Sequence, residues 1–284
     1  MEEAIREKQA PTGALGIQIS MITLENPHIP MHYHDTLEIL YCLNGSIKVH
    51  VDGQSIELKH KQLIVFDANE VHALHSDSSL YMFICIQIDK KQLATYIPDL
   101  ELYRIVCRPI PVDHPSYDHY LQLCRDILKL VSYNKNEATT DKLRLNGAIL
   151  SIFADLIDYF SIFTPSQTSS PEKKPNDTIR EIITYVNEHF TEDITLEDMA
   201  AMCGFSKEYF CRYFKQHMGL TFLRYLGEVR IAYAGKLLTT SDIAISDAML
   251  KCGFTNQTIF NRLFKEIYGM TPREAKRTNS LTVS

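Results

Sequence analysis

Apolar and polar residues alternate in short runs through the first 112 positions of the chain. Leu37-Glu38-Ile39-Leu40-Tyr41-Cys42, Ile47-Lys48-Val49-His50-Val51 and Leu63-Ile64-Val65-Phe66 have the length and composition of strands. Ile47, Val49 and Val51 alternate with Lys48 and His50, the period of a strand with one buried face. Asn44-Gly45, Asp52-Gly53 and Asp67-Ala68-Asn69 punctuate the runs, and Asp52-Gly53 predicts a tight hairpin into Gln54-Ser55-Ile56-Glu57-Leu58. Many short strands this closely spaced predict a sandwich or small barrel over residues 17–112.

From residue 115 the apolar period lengthens to that of a helix. Tyr120, Cys124, Ile127, Leu128 and Val131 form one stripe, and Ile149, Ile152, Phe153, Leu156, Ile157 and Phe160 a second. They predict amphipathic helices over residues 115–132 and 141–160, separated by the polar stretch Asn134 to Thr140. Each helix has more apolar surface than one stripe against a small barrel requires, so a homodimer through this pair is expected. Ser161 to Thr178 is rich in Ser, Thr, Pro and Lys and reads as a linker; the pattern beyond it is helical.

The last 90 residues contain an internal repeat. Leu196-x-x-Met199-Ala200-x-x-x-Gly204-Phe205 recurs as Ile245-x-x-Ala248-Met249-x-x-x-Gly253-Phe254. Phe210-x-x-x-Phe214-Lys215-x-x-x-Gly219-x-Thr221 recurs as Phe260-x-x-x-Phe264-Lys265-x-x-x-Gly269-x-Thr271. The offset is 49 residues up to the Gly-Phe turn and 50 after it, so one residue is inserted in the second turn. Each copy has the grammar of a helix-turn-helix: a short helix, a Gly suited to a left-handed C-cap, and a polar N-cap for the next helix. Ser206 fills that place in the first copy, and Thr255 or Asn256 in the second. Thr195-x-x-Asp198 predicts a capping box before the first copy.

In each copy the second helix buries two phenylalanines and turns a polar face outward. That face carries Ser206, Lys207, Glu208, Cys211, Arg212 and Lys215 in the first, and Asn256, Gln257, Thr258, Asn261 and Arg262 in the second. Arg can pair with guanine and Asn or Gln with adenine, so these eleven residues are the candidate DNA contacts.

Charge supports the local reading. The 284-residue chain carries a net charge of −6, which by itself disfavours a polyanionic partner. From Gly204 on, however, there are 12 basic and 6 acidic residues, and affinity for DNA follows local charge. Seven cysteines without a C-x-x-C pair predict a reducing, cytoplasmic setting. No apolar run reaches the length of a membrane span, and the polar start Met1 to Lys8 lacks the apolar core of a signal peptide.

At these residues the chain resembles the AraC/XylS family of bacterial transcription regulators. The resemblance covers about residues 178–277, and its most specific stretch is Gly253-Phe254-x5-Phe260-x-Arg262-x-Phe264-Lys265-x3-Gly269-Met270-Thr271-Pro272. It implies two helix-turn-helix units, about 196–217 and 245–268, joined by a long helix at about Phe222–Leu238, with both recognition helices in successive major grooves. Met249 stands where the family has a small Ala, and Ala275-Lys276 replaces its Tyr-Arg.

Seven of the eleven histidines fall between His28 and His75. His32-Tyr33-His34-x3-Glu38-x6-Gly45 fits the first motif of the cupin barrel, with His72 at the place of the last ligand in the second. Two His, a Glu and a later His on adjacent strands can converge on one Fe, Mn, Ni or Zn ion. Asp67-Ala68-Asn69 replaces the Pro-x-Gly turn of the metal-binding pattern, and His60-Lys61 its Gly-Asp pair. Regulators of the resembled family use such a barrel for a small effector, so His32, His34, Glu38 and His72 are read as effector-binding, with no metal and no cofactor. Tyr33, Tyr41 and Phe66 are the expected apolar walls. His114, His119, His189 and His217 are expected at the surface or in caps.

The fold class expected is α+β: a cupin-like β-barrel with two following helices, plus an all-α double helix-turn-helix domain. The boundaries are 1–162 for effector binding and dimerisation, 163–177 for the linker and 178–277 for DNA binding. The function expected is a sequence-specific transcriptional activator of a metabolic operon, controlled by an effector such as a sugar. Its partners would be double-stranded DNA, the small effector, RNA polymerase and a second copy of the chain, with no membrane. No G-x-S-x-G, P-loop, G-x-G-x-x-G or H-E-x-x-H motif supports catalysis, so no catalytic residue is assigned. The alternative is a metal-binding cupin enzyme or metal sensor fused to a DNA-binding module.

Overall fold

The computed structural model describes residues 16–24, 28–75, 81–134, 138–164 and 175–279. The polar start Met1 to Lys8 and residues 165–174 of the expected linker lie outside these. Eight strands come first: β1 (Ile17–Leu24), β2 (His28–His32), β3 (Leu37–Asn44), β4 (Ser46–Val51), β5 (Gln54–Lys59), β6 (Leu63–Phe66), β7 (His72–His75) and β8 (Tyr81–Ile88). They form two antiparallel four-stranded sheets, β1-β8-β3-β6 and β2-β7-β4-β5. The hairpin is where the sequence predicts it: β4 and β5 pair from Val51↔Gln54 outward, with Asp52 and Gly53 both at positive φ.

The first sheet is covered on both sides. Leu40, Cys42, Phe83 and Cys85 face Ile47, Val49, Val51 and Leu74 of the second sheet across a filled interior. Leu37, Ile39, Tyr41, Ile84, Ile86 and Ile88 point the opposite way, into a core shared with the helices that follow. After α1 (Lys90–Leu93) and the short β9 (Tyr103–Ile105), those helices are α2 (Tyr117–Tyr133) and α3 (Thr139–Phe160), close to the expected spans. Tyr120, Leu123, Ile127 and Leu130 of α2 and Ile149, Ile152, Phe153 and Leu156 of α3 cover the sheet. The Tyr120 hydroxyl donates to Leu63 O (2.7 Å) and accepts from Leu63 N (2.8 Å), pinning α2 to the edge strand β6. β10 (Ser161–Phe163) pairs back on β9.

The turn Asp67-Ala68-Asn69 has a structural explanation. The buried Asp67 carboxylate accepts from Ile105 N (3.0 Å), Ala68 N (2.8 Å) and Lys90 Nζ (2.9 Å), tying the β6–β7 turn to β9 and α1. Glu70, also buried, receives Arg104 and Arg108. Buried polar groups are costly unless partnered, and both carboxylates are.

The carboxy-terminal part is all helix: α4 (Pro175–His189), α5 (Leu196–Met202), α6 (Lys207–Met218), α7 (Phe222–Thr240), α8 (Ile245–Lys251), α9 (Gln257–Tyr268) and α10 (Pro272–Asn279). α4 thus begins inside the stretch expected to be linker. Two separate cores are strung on α7. Phe222, Tyr225, Leu226 and Val229 join α4, α5 and α6; Ile231, Ala234 and Leu238 join α8, α9 and α10. Gly235 lets α9 come close, because a Cβ there would sit 2.6 Å from the Tyr268 hydroxyl. Ala275 is buried in the second core, while Lys276 Nζ donates to the carbonyls of Asp242 and Ile243.

The outer face of the second sheet docks on the helical part. Tyr225 Oη donates to Met31 O (3.1 Å), Tyr33 Oη and Thr184 Oγ1 lie 2.5 Å apart, and His28 Nε2 is 3.5 Å from Glu228 Oε2. Among the described residues, no helix is long and apolar enough to cross a membrane, and none of the seven cysteines is in a disulfide.

Candidate functional site

Two places concentrate polar chemistry: the outward faces of α6 and α9, and the mouth of the barrel. The helix pairs α5–α6 and α8–α9 occupy the expected repeat, offset by 49 residues in the first helix and 50 in the second. Gly204 and Gly253 take positive φ at the two turns. Both turns close alike: Phe205 N donates to Ala200 O at 2.8 Å, and Phe254 N to Met249 O at 3.1 Å. Met249 therefore leaves the second turn as closed as the first. The inserted residue is Thr255, and Asn256 is the N-cap, accepting from Ile259 N (3.1 Å) as Ser206 accepts from Tyr209 N (3.2 Å). Thr195 and Asp198 form the reciprocal capping box.

Phe210 and Phe214, and Phe260 and Phe264, are fully buried and hold each second helix against its core. The opposite face is open. Ser206, Lys207, Glu208, Arg212 and Lys215 are exposed, as are Asn256, Gln257, Thr258, Asn261 and Arg262; Cys211 is half-buried. Lys207 Nζ is held at 2.5 Å by Glu197 of α5, which directs it sideways along the motif. Sequence reasoning missed Tyr209 and Ile259. They are equivalent positions on the two helices and are 46% and 42% exposed, unusual for an aromatic and a branched aliphatic on an otherwise polar face. Their matching place in the repeat was the available signal. Apolar side chains there suit contact with thymine methyl groups.

At the barrel mouth the structure brings together all four residues singled out from the sequence. His32 ends β2, His34 follows it, Glu38 lies on the inner face of β3, and His72 opens β7. One ring nitrogen of each imidazole from His32, His34 and His72 lies within 4.8 Å of the others. Glu38 is buried and accepts from Gln87 Nε2 (3.0 Å). Its oxygens lie 3.2 Å from His34 Nε2 and 3.7 Å from His72 Nε2.

The tautomers follow from the other nitrogens. Nδ1 of His32, His34 and His72 faces the carbonyl oxygens of Pro30 (2.9 Å), Thr36 (2.8 Å) and Glu70 (2.9 Å). A carbonyl only accepts, so each Nδ1 carries a proton and each ring turns its Nε2 edge away from that carbonyl. The buried Nε2 atoms of His34 and His72 have no hydrogen-bond partner of proper geometry. Three imidazole rings and a carboxylate thus converge on one small volume.

The titration of the cluster reflects this closeness. Burial and then the two neighbouring imidazoles push His32 down to about 3. Burial would lower His34 as well, but the Glu38 carboxylate beside it holds it above the ordinary value. Burial would raise Glu38, and hydrogen bonding with His34 and His72 instead holds it well below the usual carboxylate range. Three imidazole nitrogens and a carboxylate, each imidazole steadied by a main-chain carbonyl behind it, are a donor set that fits a divalent metal.

The expected apolar walls are only partly in place. Phe66 stacks on His72 with ring centroids 3.9 Å apart. Tyr41 points away into the core under α2, because its strand is buried on both faces and its register with Ile84 turns it outward from the barrel. Tyr33 leaves the mouth for the boundary with α4, where with Asn69, Arg180, Glu181, Thr184 and Tyr185 it lines a groove of about 610 Å³. Of the remaining histidines, His119 stacks on Tyr159, His189 lies beside Glu192 and His217 faces Tyr213 O.

Comparison with known proteins bears on both places. A helix-turn-helix domain family matches residues 199–278, and a cupin domain family matches residues 21–86. The chain is similar to YdeC of Bacillus subtilis, an uncharacterized HTH-type transcriptional regulator, with 23% identity over 262 residues covering 90% of this chain and 88% of that one. A second such regulator from the same organism, YbfI, is 26% identical over 239 residues, covering 81% and 80%. AdaA of Bacillus subtilis, a bifunctional transcriptional activator and DNA repair enzyme, is 34% identical over 122 residues, 42% of this chain and 58% of its own. The solved structure of ToxT from Vibrio cholerae shares the fold, with a TM-score of 0.50 and 16% identity over 92% of this chain and 98% of that one.

Equivalent arginines on α6 and α9 generate the first expectation. Arg262→Ala should remove about 1–3 kcal/mol of discrimination at one base position. Lys215→Ala should instead weaken binding to all sequences alike and lower the salt slope by about one. Competition between selected and scrambled DNA over a salt series separates the two; equal discrimination by Arg262→Ala and wild type would remove Arg262 from the reading face.

Proposed function

We propose that the chain, which carries a helix-turn-helix domain and a cupin domain, is a transcriptional regulator of AraC type that binds specific DNA through α6 and α9 under the control of a small ligand at the barrel mouth. Ser206, Lys207, Glu208, Cys211, Arg212 and Lys215 would face one major groove. Asn256, Gln257, Thr258, Asn261 and Arg262 would face the next. The outward polar faces opposite the buried phenylalanines carry this assignment. We read the barrel as a sensor rather than an enzyme, the reading that fits relatives named as regulators over most of their length.

The effector assignment is His32, His34, Glu38 and His72. What supports it is their convergence, with the neighbouring Tyr33 and Asn69 forming one wall of a groove that α4 closes on its other side. A polar metabolite such as a sugar, lying in that groove against the mouth, would touch two bodies whose relative position it could bias. Coupling requires only a differential affinity for two arrangements, typically 1–3 kcal/mol. Activation of a metabolic operon, with RNA polymerase as a further partner, is the output we assign to this coupling. A panel of sugars and sugar alcohols, screened by melting temperature on the full chain, tests the site. A ligand that raises the midpoint for wild type should fail to do so for His34→Ala and Glu38→Ala, while both variants keep ligand-free DNA affinity; unaltered responses in both would move the effector elsewhere.

One observation favours a second reading, a metal sensor. The Nε2 atoms of His32, His34 and His72 and the Glu38 carboxylate would hold a divalent ion, which would neutralise the buried charge of the mouth. The interior behind them is filled with side chains, so an ion fits where a larger guest does not. Zinc, manganese or nickel added to chelator-treated protein at about a hundred times its Kd should stabilise wild type by about 2.7 kcal/mol. His72→Ala should abolish that gain, and a wild-type melting curve indifferent to all three ions would exclude this reading.

We also propose a homodimer through α2 and α3. Leu128 and Leu143 are 43% and 67% exposed on these helices, more apolar surface than the sheet beneath them covers. Sedimentation of the full chain at micromolar concentration, with and without DNA, should give twice the monomer mass; a monomer in both would refute it.

A further inference from the structure

The two helix-turn-helix units have separate hydrophobic cores, one at each end of α7. Packing on one helix sets the coarse angle between α6 and α9, with Tyr233 bordering both cores, Gly227 admitting Leu263 of α9 and Arg224 paired with Glu266; contacts made directly between the two units then refine it. Reading two successive grooves demands a fixed angle, because half-sites one helical turn apart are about 34 Å apart and each base pair carries the second site along and around the duplex.

A direct join between the halves lies at the middle of α7. Arg230 Nε donates to Phe190 O (2.7 Å) and Arg230 Nη2 to Glu192 O (2.6 Å), taking up carbonyls just past the end of α4. A guanidinium fork suits such a paired contact, and cationic groups are favoured at a helix C-terminus. The same guanidinium lies 5.8 Å from the ring centroid of Phe254, in the turn of the second unit. Beside it Gly253, at φ +80°, is pressed against the same strip of main chain. A Cβ on Gly253 would stand 2.8 Å from Thr191 O, 2.9 Å from Phe190 O and 3.0 Å from Arg230 Nε. Phe190 also packs edge-on against Tyr233 of α7.

We propose that Arg230 and Gly253 are positioning residues that clasp the α4–α5 connection to the second turn, and so set which spacing between two DNA half-sites the protein accepts. Neither residue lies on a reading helix. The first unit is held through the carbonyls of residues 190–192, the second through Gly253 and Phe254, and α7 supplies the arginine between them. This inference rests on the reading that both α6 and α9 contact DNA.

Selection of the full chain on random DNA yields paired half-sites, from which probes are made with the selected spacing, with one or two added base pairs, and with one half-site alone. Wild type should bind the selected spacing best and lose about tenfold per added base pair. Arg230→Ala should lower affinity for the selected spacing, reduce the penalty per added base pair below about threefold, and leave binding to the single half-site within about twofold of wild type. Arg230→Lys, which keeps the charge but can reach one carbonyl at a time, should lie between. If Arg230→Ala does not fold, Arg230→Lys decides by the same profile. Variants that keep the wild-type spacing penalty would overturn the clasp. A wild type that binds one half-site as tightly as two would overturn the two-helix reading on which it stands, a distinct result visible before any variant is made.

Discussion

Helix α7 has to satisfy three neighbours at once. Its amino-terminal half buries Phe222, Tyr225 and Val229 in the first unit, and its carboxy-terminal half buries Ile231, Ala234 and Leu238 in the second. A third side meets the barrel, through the Tyr225 hydroxyl on Met31 O and Glu228 beside His28. A helix so enclosed cannot have one apolar stripe and one polar face, and it admits bulk only where a neighbour leaves room. Gly227 and Gly235 stand where Leu263 and Tyr268 of α9 come closest. Glycine inside a helix costs about 1 kcal/mol against alanine, so close packing of α9 has to offset both. The same helix therefore decides how near the second unit sits, how the first is held and where the barrel rests.

Much of this was legible in the sequence because the signals were local. The strands expected at Leu37, Gln54 and Leu63 begin at those residues and that expected at Ile47 begins one residue earlier, at Ser46, next to turns whose residues tolerate positive φ. The two helix-turn-helix units were legible for a different reason: a repeat shows one pattern twice, and what recurs is what the fold requires. His32, His34, Glu38 and His72 do meet at one place, His32 and His72 on the paired strands β2 and β7 and Glu38 across from them on β3 of the facing sheet.

Failures occurred where a strand is buried on both faces. In Leu37-Glu38-Ile39-Leu40-Tyr41-Cys42 nearly every position is apolar, so alternation cannot tell which residues face the barrel interior. Pairing with β8 settles it, and Tyr41 falls on the helix side. Tyr209 and Ile259 were overlooked because an apolar residue on a helix reads as core until the neighbours are known. The groove along α4 was not legible at all, since it exists only once the second sheet has docked. Nor could spacing reveal that three main-chain carbonyls fix the histidine tautomers at the mouth.

Thr255 lengthens the second turn by one residue without changing the helices on either side. After a tight Gly-Phe turn the first unit caps at once with Ser206, whereas the second spends one more residue before Asn256. The added residue lies outside both helices, so the two units do not reach their capping positions by the same path even though Phe210 and Phe260 bury alike. The reading helices are thus interchangeable as helices but not as whole cassettes. Base preference could be transplanted from one unit to the other by moving the outward side chains alone, whereas a segment exchanged together with its turn would carry its phase with it.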